Sequence, residues 1–315
     1  MNRIFTFWLA SCLLLMSCTT DDTAFPTDNE DFNVFTFVYS EEGTVNSAVL
    51  GLDIVTGTQD TIASFDPATK LHDFVYNSTT NTLIGVTKKD GYDNAANALY
   101  FIDLSDGSFT TVMLDNSTPY MYYSDVVLDA TGTIYLFKSD FNQYSGNLHE
   151  VVSVNVATGT ETVVASYNEG VFLADLTYDE QQEKIFCFLQ SFYMQAIDIE
   201  SGESIEMQLN SDYTYSGLLT NTSNAYFAFK KARYPDSDLS PAIVQLDEFN
   251  GGETVLQTLA SSITLKGMAY DSYTNAILAI QDDQTLFTFG METQNTSTLV
   301  LSTTPGVVYE EVITK

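Results

Sequence analysis

The stretch LDIVTGTQD, residues 52–60, decides how this chain folds. An acidic residue is followed by small polar residues and a glycine, and the pattern returns along the whole chain. It reappears as IDLSDGSF around Asp103, VNVATGTE around Asn155, IDIESGES around Asp198 and LDEFNGGE around Asp247. A degenerate copy, FGMETQNT, begins at Phe289. An Asp or Asn at a turn entrance accepts backbone N–H groups two residues on. The glycine behind it takes a positive φ without steric cost. The motif therefore reads as turn chemistry that recurs because a structural unit recurs.

Working outward, every copy sits between short alternating strands. An opening strand ends in DFVYN (from Asp73), DVVLD (Asp125), DLTYD (Asp175), GLLTN (Gly217) or GMAYD (Gly267). A second follows, as in TLIGVT, TIYLFKS, KIFCFLQ, AYFAFKK and AILAIQ; a third runs into the motif, and a fourth leaves it. Four strands in roughly forty to fifty residues is the arithmetic of a β-propeller blade. The ends complete the count. NVFTFVYS (residues 33–40) begins the folded part as a second strand, and YEEVITK (309–315) supplies an isolated first strand. The expected fold is an all-β, six-bladed propeller of four-stranded antiparallel blades over residues 33–315. Its ring is closed by the C-terminal strand completing the first blade, which removes a sheet edge.

Residues 1–17 read as a secretory signal, with Arg3 before an apolar run too short for a comfortable membrane span. LMSC, ending at Cys18, resembles the lipobox of bacterial lipoproteins, which implies a lipidated Cys18. Acyl chains gain about 0.8 kcal/mol per buried methylene, so the protein would be anchored to a membrane rather than spanning it. Residues 18–32 are polar, acidic and aperiodic, a flexible tether. Asp21 and Asp22 resemble surface-export signals of some Gram-negative lipoproteins, and serve equally as a solvated linker. The expected location is the outer membrane or cell surface. Of the three cysteines, Cys12 leaves with the signal and Cys187 has no partner, so no disulfide framework is expected. Cys187, in KIFCFL, reads as an inert core thiol.

A formal charge of −31 repels nucleic acid and anionic headgroups, so a nucleic-acid partner is not expected. The 19 Tyr and 21 Phe supply material for a large core in a monomeric propeller. The loops expected to gather at the channel mouth hold two sets of candidates. One is a column of strand-start residues: Asp73, Asp125, Asp175, Gly217, Gly267 and Glu311, with His72 and Glu310 beside them. Either these carboxylates converge on a divalent cation such as Ca2+, or each bonds the neighbouring blade's backbone. The other is aromatic: Tyr122, Tyr123, Tyr193, Tyr213, Tyr215 and Tyr309, with Tyr120 nearby, and Arg233, Lys230 and Lys231 as a local cationic loop. Exposed Tyr suits sugar rings or peptides, and alternate Tyr equally suits packing between blades. His72 beside Asp73 could serve as a base, while His149 is placed at the start of a third strand. No nucleophile elbow, phosphate loop or metal-spaced His cluster occurs.

The repeat resembles the six-bladed TolB-like and NHL-type propellers from Asn33 to Lys315. Within that group, gluconolactonase-type enzymes hold a divalent metal through Glu, Asp and Asn side chains. Here the matching column offers Asp73, Asp125, Asp175 and Glu311, with Gly at two positions and no Asn. The expectation is a binding module for a glycan, peptide or envelope protein, without catalysis. The alternatives are a metal-dependent hydrolase or lactonase using the channel carboxylates, and a structural scaffold subunit of an outer-membrane complex.

Overall fold

A computed structural model describes residues 32–43, 45–89, 96–115, 117–140, 148–167, 171, 173–234, 237–282 and 284–315. The expected signal peptide, Cys18, the expected tether up to residue 31 and residues 90–95, 141–147 and 235–236 lie outside them. The strands form six four-stranded antiparallel sheets. Blade 1 is composite: Val307–Thr314 pairs with Val34–Ser40, followed by Ser47–Leu52 and Gln59–Phe65. Blades 2 to 6 follow in chain order, with inner strands Leu71–Asn77, Met121–Leu128, Leu173–Asp179, Tyr213–Thr220 and Leu265–Asp271. The last strand closes the ring as the sequence predicts. Each blade buries a largely apolar second strand, and six hydrophobic clusters fill the seams between blades.

The recurring motif is the turn between third and fourth strands. Asp53 Oδ1 accepts the Val55 amide at 2.8 Å, Asp103 Oδ1 that of Ser105 at 2.8 Å, and Asp247 Oδ1 that of Phe249 at 2.8 Å. The glycines have a second duty that spacing does not reveal. A Cβ on Gly107 (φ 70°) would lie 2.0 Å from the Ile62 carbonyl oxygen, an atom of the preceding blade's outer strand. Gly159, Gly202 and Gly251 meet the carbonyls of Met113, Val164 and Gln208 in the same way. The turn is thus also the point where one blade's backbone docks on the last.

The ring alternates. Blades 2, 4 and 6 begin their inner strands with Leu71, Leu173 and Leu265 and carry Tyr76, Tyr178 and Tyr270 near the ends. Blades 1, 3 and 5 carry Tyr309, Tyr123 and Tyr215 near the start, and Thr314, Leu128 and Thr220 where the others have Tyr. The following hairpins alternate too. Asn81, Glu183 and Asn275 hold the left-handed position directly before the second strand in even blades, where Gly132 and Asn224 hold it one residue earlier in blades 3 and 5. The repeating unit is a pair of blades, used three times.

Candidate functional site

The inner strands line the channel, and each is broken by a bulge. In blade 2 the pairing slips between His72 and Val75, leaving Asp73 at φ 49°. Asp125 (57°), Asp175 (58°), Gly217 (66°) and Gly267 (53°) occupy the same place. The column expected at strand starts therefore sits inside the strands, because a bulge, rather than a loop, aims these side chains.

Their aim is the next blade. Glu311 Oε1 accepts the Phe74 amide at 2.7 Å, Asp73 Oδ2 the Asp125 amide at 3.0 Å, and Asp125 Oδ1 the Asp175 amide at 2.7 Å. Asp175 accepts the amide of Gly217. Four carboxylates thus fasten four consecutive seams. The remaining two seams have glycine: a Cβ on Gly267 would meet the Glu311 Cα at 2.3 Å, and one on Gly217 would press on the flexible Met268 side chain, 2.6 Å from its Sδ.

Burial and mutual repulsion set the protonation of this chain. Burial, then the Asp73 charge, pushes Asp125 up to about 6. Burial, then Asp125, pushes Asp175 up to about 8. Glu311 is raised well above the usual carboxylate range by burial and by Asp73. Asp73 alone stays low. Burial opposes its ionisation, but His72, with Nδ1 2.7 Å from Asp73 Oδ2, and the Asp125 amide outweigh it. Burial depresses His72, yet Asp73 and Glu310 lift it above its ordinary value. One oxygen of each of these carboxylates is committed to an amide of the next blade. Among the described residues, no three His, Cys, Asp or Glu side chains come together in a metal-holding geometry. The residues present do not fit a divalent metal.

The aromatic candidates divide. Tyr123, Tyr215 and Tyr309 are core residues, not exposed ones, each 4% exposed or less. They belong to a device of the odd blades. The Tyr123 hydroxyl donates to Glu161 Oε1 at 2.6 Å while Lys138 pairs with Glu161 Oε2 at 2.7 Å. In blade 5, Tyr215 and Lys230 do the same with Glu253. Lys230 is therefore buried within a strand rather than part of a cationic loop. Blade 1 holds the uncharged version, with Tyr309 donating to Gln59 Oε1 at 2.8 Å and Val38 in the lysine's place. Removing one charge from a buried pair strands the other. Glu253→Gln alone is expected to lower stability by about 2 to 3 kcal/mol in chemical denaturation. The double change Lys230→Val with Glu253→Gln, copying blade 1, should recover most of that loss. Equal losses in single and double variants would sink this account.

Tyr122, Tyr193 and Tyr213 are half-buried near the mouth. Lys89 lies 5.9 Å from the Tyr122 ring and Lys230 4.1 Å from that of Tyr213. The Tyr193 ring lies beside that of Phe192 at a 43° tilt, and exposed Arg233 rests on Phe192 at 4.7 Å. His149 is buried, second residue of the third strand of blade 3, with Nδ1 3.0 Å from Ser139 Oγ. Cys187 is a fully buried free thiol, held above its ordinary pKa by burial.

What gathers at the mouth is a set at the seam of blades 1 and 2. Lys88 Nζ bridges Glu310 Oε1 (2.5 Å) and the Tyr39 hydroxyl (3.3 Å), beside the His72–Asp73 pair. Glu310 Oε2 is buried and takes no hydrogen bond from the described residues. Sequence reading missed Tyr39 and Lys88, which lie at the ends of second strands with no motif around them. It also missed a cavity of about 800 Å³ at the far, turn-face end of the channel, lined by Tyr76, Tyr178 and Tyr270.

No protein-family model matches this sequence, and no curated protein is similar to it. Solved structures do share the fold. An oligogalacturonate lyase in complex with manganese superposes with a TM-score of 0.55 at 10% identity, covering 82% of this chain and 74% of that one. The periplasmic gluconolactonase PpgL of Pseudomonas aeruginosa gives 0.52 at 12%, covering 89% and 98%. A Bacteroides caccae protein of unknown function gives 0.57 at 8%, covering 89% and 98%. The chain is a six-bladed β-propeller. At these identities the likeness is one of architecture, which hosts many unrelated activities.

Proposed function

We propose that this protein is a lipid-anchored envelope propeller that binds a glycan, peptide or envelope protein at its mouth face, without catalysis by a channel metal. One observation carries the reading. The channel carboxylates are spent on fastening blades, while the seam of blades 1 and 2 keeps His72, Lys88 and Glu310 together with a buried acceptor, Glu310 Oε2, that no described residue satisfies. A buried acceptor of this kind is best satisfied by a donor that arrives from outside. Cations support the same face. Lys70, Lys88, Lys89, Lys138, Lys230, Lys231, Arg233 and Lys266 lie towards the mouth ends of their strands, and only Lys184 and Lys315 among the described cations lie at the turn face. The favoured guest carries a hydrogen-bond donor for Glu310 Oε2 together with polar or anionic groups for the surrounding cations.

Binding to an array of glycans and peptides should fall at least tenfold in both His72→Ala and Lys88→Ala, with the melting curve checked for each. Cys18→Ala should abolish incorporation of labelled palmitate. Binding indifferent to both mouth variants would overturn the reading. The His72–Asp73 pair favours a hydrolytic alternative, since an imidazole held through Nδ1 leaves Nε2 to act as a base. Lactone hydrolysis lost in His72→Ala, and independent of added metal, would establish that alternative in place of the first.

A further inference from the structure

The cavity at the turn-face end of the channel lies at the opposite end from the mouth and has a different chemistry. Its volume of about 800 Å³ is room for a short oligosaccharide. Three aromatic rings, Tyr76, Tyr178 and Tyr270, stand on alternate blades around it. Two are fixed by their own hairpins: the Tyr76 hydroxyl donates to Asn81 Oδ1 at 3.2 Å and that of Tyr270 to Asn275 Oδ1 at 2.8 Å. Rings held in place before a ligand arrives lose little freedom on binding. Between them the wall is mostly uncharged and rich in hydrogen-bonding groups, including Asn77, Thr79, Asn221, Thr222, Ser272 and Thr314. Aromatic faces meet the C–H faces of pyranose rings, and hydroxyls and amides answer sugar hydroxyls.

Charge selects within the sugars. The cavity wall itself carries Asp129 and Glu180 against Lys315, and the turns beyond it add Asp103, Asp198 and Asp247 against Lys184. Such a surface repels an anionic guest. We propose that this cavity is a binding site for a neutral oligosaccharide, seated on Tyr76, Tyr178 and Tyr270. The site is independent of the mouth and goes beyond the function proposed for it.

The full mature chain would be screened on an array of neutral, acidic and aminated oligosaccharides, with hits titrated by calorimetry. Thr222→Trp fills the cavity from an exposed rim position and leaves the core alone. It is expected to weaken neutral-oligosaccharide binding at least tenfold, as is Tyr178→Ala, while the mouth variant His72→Ala leaves it unchanged. The proposal fails if no neutral oligosaccharide binds, or if only aminated probes do, which would make the tyrosines a cation cage. It fails equally if Thr222→Trp is without effect, or if binding is lost in His72→Ala, which would place the sugar at the mouth.

Discussion

Deleting residues 307–315 is expected to abolish cooperative unfolding. This strand is the inner strand of blade 1, paired along its length with Val34–Ser40, and it buries Val308, Tyr309, Val312 and Ile313. Four side chains at about 2 kcal/mol each exceed the lower end of a typical domain's total stability. The loss extends beyond packing. The Thr36 hydroxyl loses its bond to the Glu311 carbonyl (2.7 Å), the Phe74 amide loses the Glu311 carboxylate, and the hydrophobic cluster shared with blade 6 is opened. The truncated chain should show no sigmoidal melt by circular dichroism and should aggregate through the newly bared strand edge. Adding the missing strand as a peptide should restore the transition. A truncated protein melting at the parent temperature would mean that the ring is not closed by this strand.

Raising the pH from 4 to 8 is expected to destabilise the protein on the order of 4 kcal/mol through Asp175. Burial and the charge of Asp125 lift its pKa from 3.8 to about 8. Between those values the folded protein keeps a proton that the unfolded chain releases, so stability falls as pH rises through the window. Below about pH 4 both states hold the proton, so the pH dependence ends there with the stability fully present. Asp125, raised to about 6, acts in the same direction over a lower range. Asn at 175 cannot ionise, and its amide oxygen can still accept the Gly217 N–H. Asp175→Asn should therefore match the parent near pH 4 and exceed it by several degrees in Tm at pH 8. A variant whose pH profile parallels that of the parent would disprove the buried, neutral Asp175.

The architecture was legible because turn chemistry is local. Asp53 and Gly57 need only each other and the residues between them, so their pattern survives in the sequence unaided. Blade count and ring closure followed from it. The bulges were not legible. Nothing near Asp73 announces a left-handed residue inside a strand, because the cause is the Asp125 amide fifty-two residues away. For Tyr123 and Tyr215 the sequence left exposure at the mouth and packing between blades equally open, and the second holds: their hydroxyls are satisfied by Glu161 and Glu253 on the outermost strands, so burial costs them little. Tyr76, Tyr178 and Tyr270 were in plain view, in the opening strands of blades 2, 4 and 6. What hid their relation was the assumption that every blade is a copy of every other.

The pairing of blades gives the molecule an arithmetic of twos. A seam joins an odd blade, starting on Tyr, to an even one, starting on Leu, and the tyrosines at the far end recur 102 and 92 residues apart. Gain or loss of one blade would set like against like at a junction, whereas gain or loss of a pair would leave every junction with its proper neighbour. The rotational symmetry a guest meets at the turn face is therefore threefold, and a ring of any other size assembled from these parts would have an even number of blades.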